Sequence, residues 1–228
     1  MPRHLIPALT FVAGLTVGVA VLHASTRDTM PDVAHSTAIS PADTHALVDA
    51  PADAAAVIAF WEGAGPRMWF AKDAEFDRRF RERFAALHEA AASERLGAWE
   101  QTPEGALALM ILLDQYPRNS FRDTPRMYAT DPLARRVADA AIAAGHDRAV
   151  SDALAMFFYL PFGHSESLAD QERSVMLVER LGKEALGHAE HHRDIVRRFG
   201  RFPHRNPILG RSMTAEEQRY LDEGGYKG

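Results

Sequence analysis

Residues 106 to 113, Ala-Leu-Ala-Leu-Met-Ile-Leu-Leu, are apolar nearly all round. A helix of that composition has no face to offer water, so it belongs at the centre of a core with other helices packed about it. Thr102-Pro103-Glu104 stands just before it: a capping hydroxyl, then a proline whose missing N–H costs nothing in a first turn. The other periodic segments also repeat at three and four residues. Asp53 to Trp61 carries Val57, Ile58, Phe60 and Trp61 and is broken by Gly63-Ala-Gly-Pro66. From Asp73 a long amphipathic segment places Phe76, Phe80, Phe84 and Leu87 on one face and a row of arginines on the other. Thr130-Asp131-Pro132 opens a helix that ends near Gly145. Asp152 to Tyr159 is a short apolar helix closed by Pro161-Phe162-Gly163. Leu168 to Leu181 and Leu186 to Phe199 follow, and Thr214-Ala-Glu-Glu217 is a capping box before a last short helix. No segment alternates with period two, and no hairpin turn signature occurs. The chain therefore reads as an all-α domain of about seven to nine helices, antiparallel pairs stacked as a bundle or a superhelix.

That domain spans residues 53–228. Residues 25–52 are rich in Ala, Ser, Thr, Asp and Pro and have little to bury, so they read as a disordered tether. Before them Leu5 to Leu22 runs without a charge behind a short basic start, as in a secretory signal or an N-terminal membrane anchor (residues 1–24). The expected location is the cell envelope, periplasmic or anchored by that segment. If the start site is mis-assigned, the location is cytoplasmic. The net charge of −5 argues against a nucleic-acid partner, although the sign is uneven and residues 193–211 are strongly basic. The absence of cysteine removes disulfides, thiolate catalysis and thiolate zinc sites.

Three polar clusters interrupt the helices. Asp114-Gln115-Tyr116-Pro117-Arg118-Asn119 follows the most apolar run, where a carboxylate at a helix C-terminus needs a partner to stay charged; Arg118 is the nearest. In the second, His164 and Glu166 lie two apart on a loop and can reach one point, as a metal pair, an acid–base pair or a buried hydrogen-bond network. The third spans residues 188–211 and holds four of the eleven histidines. Its His188-Ala-Glu-His191-His192 is not the zinc-protease pattern, because the glutamate is displaced by one. Ile195, Val196 and Phe199 set the apolar face and make His192 the inward histidine. His204, Arg205 and Asn206 follow in a stiff loop whose arginine and asparagine can clamp a carboxylate or phosphate, or can simply bridge to Asp114 or Glu166.

These clusters, together with Phe60-Trp61-Glu62, Trp69-Phe70, Tyr159-Leu-Pro-Phe-Gly-His-Ser-Glu166, Asp170-Gln-Glu-Arg-Ser174 and Arg198-Phe-Gly-Arg-Phe-Pro-His-Arg-Asn206, resemble the bacterial domain of unknown function 924 family over roughly residues 55–224. The resemblance implies an all-α fold similar to tetratricopeptide-like superhelices and carries no activity with it.

Two functions fit the residues. In one, Asp114, His164, Glu166 and His204 supply acid–base chemistry, and Arg118, Asn119, His192, Arg205 and Asn206 bind a small anionic substrate, with any metal or other cofactor left open. In the other, the superhelix is a scaffold for a peptide or protein partner and the polar motifs serve structure.

Overall fold

The computed structural model describes residues 50–228. The expected leader (1–24) and nearly all of the expected tether (25–52) lie outside the described residues. The helices are α1 (Ala50–Ala64), α2 (Pro66–Trp69), α3 (Ala74–Ala92), α4 (Pro103–Met110), α5 (Tyr116–Ser120), α6 (Asp131–Ala143), α7 (Asp152–Gly163), α8 (Leu168–Val178), α9 (Lys183–Phe199) and α10 (Ala215–Asp222). The class is all-α: no strand occurs among the described residues. Among them, too, no helix is long and apolar enough to cross a membrane.

Local chemistry sets the starts. Asp73 accepts the Phe76 N–H at 2.8 Å, Thr102 accepts that of Gly105 at 3.1 Å, and Thr214 and Glu217 form the reciprocal capping box. Every residue of α4 from Gly105 to Met110 is buried, and α1, α6 and α7 pack around it. The phenylalanine face of α3 closes on Phe60 and Trp61 of α1, with ring centroids 5.3–6.0 Å apart. In the C-terminal part, α8 packs on both α7 and α9. A second, smaller apolar cluster gathers Ile195, Val196 and Phe202, with Phe199, Tyr220 and Tyr226 against it.

Two boundaries depart from the sequence expectation. The apolar run does not end at Leu113. It continues through a π-helical turn, Ile111–Gln115, into α5, so Asp114 lies inside a continuous helical stretch and not at a helix end. Pro117 explains this: it has no N–H to return to the preceding turn, and the Tyr116 N–H reaches five residues back to the Ile111 carbonyl. The carbonyls in the widened turn are met by side chains. His88 Nδ1 donates to Leu112 O at 3.0 Å, Thr130 Oγ1 to Leu113 O at 2.6 Å, and Arg118 Nη1 to Asp114 O at 2.8 Å. Likewise α7 does not close at Pro161 but carries it in its last turn and ends at Gly163.

Candidate functional site

The π-turn turns the Asp114 side chain into the protein, where it is 1% exposed. Its Oδ1 takes a hydrogen bond from His164 Nδ1 at 2.8 Å and faces Arg118 Nη1 at 3.0 Å; its Oδ2 accepts from Gln115 Nε2 at 2.6 Å. Arg118 also makes a two-pronged pair with Asp131 at 2.8 and 2.9 Å. Burial pushes the Asp114 carboxyl up, but Arg118 and His164 outweigh it and hold the pKa at about 2. The acid is therefore ionised and can only accept, which assigns the Nδ1 proton to His164.

His164 follows the last turn of α7. Gln171 of α8 fixes that corner by donating to Gly163 O at 2.7 Å and Ser165 O at 2.6 Å. Burial, then the charge of Arg118, lower the His164 pKa despite its carboxylate partner. A neutral imidazole with its Nδ1–H on a carboxylate keeps a lone pair on Nε2, the arrangement of a general base.

Across from this pair lie α9 and the loop after it. His188 and His191 are exposed, whereas His192 is partly buried. His192 comes close to α7: a side chain at Gly163 would begin 3.9 Å from His192 Nδ1 and 3.1 Å from Ser174 Oγ. Arg205 is 7% exposed, and its guanidinium carbon sits 4.5 Å from the ring centres of both Tyr128 and Phe202. Among the described residues it has no ion-pair partner, and its Nε is buried without a hydrogen bond. Burial and then Arg118 lower its pKa. His192 and His204 are each held neutral, at about 3, chiefly by burial.

The anticipated residues therefore divide. Asp114, Arg118 and His164 form one hydrogen-bonded group, and His192, His204 and Arg205 line the adjoining wall. Glu166 does not join His164: it accepts the Phe202 N–H at 2.8 Å and a two-pronged pair from Arg211 at 2.6 and 2.9 Å. Asn119 lies elsewhere, donating to Asp77 at 2.9 Å beside Arg122. Asn206 is fully buried; it accepts from Arg211 Nε at 3.0 Å and faces Met213. Arg118 is largely taken up by its two carboxylates, which leaves Arg205, among the described residues, as the cation of this group without an ion-pair contact. Among the described residues no set of three or more His, Asp or Glu is placed to hold a metal ion.

Tyr128, Asp131 and Tyr226 were not anticipated. Asp131 was read as the start of a helix, and it is that too. Tyr128 precedes it by three residues, so the Thr130-Asp131-Pro132 start was the signal that could have led to both.

The match to known proteins covers nearly all of the described chain. The model of the family described as "Bacterial protein of unknown function (DUF924)" matches residues 57–225. The chain belongs to this family. A solved member-like structure, a protein of unknown function (ATU0120) from Agrobacterium tumefaciens, is 58% identical, covers 77% of this chain and all of its own, and superposes with a TM-score of 0.76. No curated protein matches the chain. In this DUF924 protein the Asp114 turn, the His164 corner and the Arg205 loop all fall within the stretch that the family model matches.

The π-turn is propped by Thr130. Thr130→Val removes the donor to Leu113 O and buries a carbonyl without a partner, which costs about 1–3 kcal/mol. Urea denaturation of the two proteins measures it, and equal midpoints would show that the turn needs no such prop.

Proposed function

We propose that this protein binds a small anion beside Asp114 and His164 and acts on it as an enzyme, with His164 Nε2 taking a proton from the substrate or from an adjacent water. One observation carries the reading: the Arg205 guanidinium is buried between two aromatic rings without a carboxylate in ion-pair contact, since Asp131 and Glu166 are bonded to Arg118 and Arg211 and act on it only at longer range. Buried charges are costly unless paired, so a lone buried arginine is best understood as half of a pair whose other half is a ligand. Carboxylate and phosphate both suit a guanidinium's planar fork. Asp114 supports the base by fixing the His164 tautomer and by favouring the imidazolium that proton transfer creates.

Arg205→Met is the informative variant, because the thioether stem keeps the space between Tyr128 and Phe202 filled. In thermal melts, acetate or inorganic phosphate should raise the Tm of the parent protein and leave the variant unmoved, while the variant without added anion is as stable as the parent or more so. An anion effect of equal size in both proteins would refute the reading.

The scaffold alternative draws on the helical stacking alone and would need a peptide that binds with Arg205 and His164 both replaced. The apolar leader supports action in the cell envelope, and a start site further downstream would make it cytoplasmic.

A further inference from the structure

The wall formed by His192, Phe202 and His204 is already covered by the chain itself. After α10 the backbone turns at Gly224 (φ 89°), and the Gly225 N–H bonds back to Tyr220 O at 2.9 Å. Gly225 passes so close to Tyr220 that a Cβ there would lie 2.5 Å from both the Tyr220 carbonyl oxygen and its ring. The turn lays the Tyr226 ring against His192 (centroids 4.7 Å), His204 (5.1 Å, edge-on), His191 (5.9 Å) and Phe202 (6.3 Å). Three further bonds hold the segment: the Tyr226 N–H donates to the Tyr220 hydroxyl at 2.9 Å, the Glu223 N–H to Arg219 O at 2.9 Å and the Gly224 N–H to Leu221 O at 3.2 Å. The neighbours Glu223, Gly224, Lys227 and Gly228 are exposed. One ring, the Gly228 backbone beside the His204 ring and four hydrogen bonds thus fasten residues 223–228, few enough contacts to make the segment cheap to release.

Building on the anion reading above, we propose that Tyr226 occupies the subsite for the ring of an aromatic monoanion. Residues 223–228 must swing out before that ligand can bind. The slot is made for a ring: its walls are a phenyl group and imidazoles, and Tyr226 enters it at the tilted and edge-on angles that aromatic groups favour. The half-buried imidazoles of His192 and His204 are uncharged, so the slot does not itself attract an anion. The charge is met next door, because Phe202 walls the slot and also lies 4.5 Å from the Arg205 guanidinium carbon. A ligand with one ring and one acidic group therefore spans both features, and a bare carboxylate or phosphate uses only the second. While closed, the segment lowers the apparent affinity for the ring-bearing ligand by the fraction of time it stays shut.

Phenylacetate is the probe, with inorganic phosphate and neutral benzyl alcohol as controls, on the full chain. Saturating phenylacetate should speed amide hydrogen exchange at Gly225 and Tyr226, whose N–H groups are bonded to Tyr220. Tyr226→Ala should bind phenylacetate at least about tenfold more tightly than the parent while its phosphate affinity stays the same. Unchanged exchange at saturation, or equal phenylacetate affinities in the two proteins, would overturn the proposal. Benzyl alcohol binding Tyr226→Ala as tightly as phenylacetate does would uphold the ring subsite but remove the anion from the ligand class, and so would count against the Arg205 reading instead. If Tyr226→Ala does not fold, Tyr220→Phe removes only the hydroxyl that holds the segment and should move phenylacetate affinity in the same direction by less; no movement there would also overturn the proposal.

Discussion

Asp114→Ala is expected to lose about 3–5 kcal/mol of stability, the usual cost of removing one partner from a buried ion pair. The carboxylate is 1% exposed and serves His164, Arg118 and Gln115 at once. Without it the Gln115 amide and the His164 Nδ1–H lose their carboxylate acceptor, and Arg118 keeps Asp131 and the backbone carbonyl of residue 114. The vacated volume adds a cavity term. Urea denaturation followed by circular dichroism gives the number. A loss below about 1 kcal/mol would mean that the group is a loosely held surface pair, because exposed salt bridges are worth that little. Asp114→Asn separates charge from shape: it keeps the volume and one acceptor, so it should fall between the parent and Asp114→Ala.

Acid should destabilise the protein in two stages. His192 and His204 have pKa values near 3 in the fold, against an ordinary histidine near 6.5. Depressed folded values mean that, below about pH 6.5, the unfolded chain takes up protons that the folded chain refuses. Stability therefore falls as pH drops from about 6.5 toward 3, by up to about 1.4 kcal/mol per pH unit for each histidine. The carboxylates come later. Asp114, held near 2, contributes stability that is complete above about pH 4 and vanishes as pH falls through 2. Urea midpoints measured across the upper interval should fall steadily in the parent, and the double variant His192→Gln/His204→Gln should lessen that slope without touching the lower stage, the remainder coming from His88, His164 and His191, whose pKa values are also lowered. A midpoint that stays constant down to about pH 4 would show both imidazoles to be solvated and protonated like free histidine.

The helices were legible because burying one face imposes a period, and the caps at Asp73, Thr102 and Thr214 are chemistry readable one residue at a time. What the sequence hid at the site has physical causes too. The π-turn comes from a missing N–H at Pro117, four residues beyond the apparent end of the apolar run at Leu113, so Asp114 looked terminal when it is internal. Arg118 was foreseen as the partner of Asp114, being one turn away on the same helical path; its second partner, Asp131, depends on how α6 docks. His164 and Glu166 are two apart, a spacing that allows a shared target, but the chain turns between them, sending one to Asp114 and the other to Arg211 and Phe202. Tyr226 had no periodic context at all. The two glycines just before it were the only hint that this aromatic residue could fold back on its own domain.

The widened turn at Ile111–Gln115 has a rotational meaning. Each residue advances a helix by about 100°, so a turn holding one residue more than usual shifts the phase of everything downstream by that angle. Upstream, α4 from Gly105 onward is spent on the apolar interior; downstream, α5 brings Arg118 and Asn119 to carboxylates on two different neighbours, Asp131 and Asp77. A straight helix could not keep α4 seated and aim both side chains as they are. The extra residue acts as a gear offset between a packing module and a polar module on one continuous rod. Removing one residue there would leave both halves helical and yet point Arg118 away from Asp131.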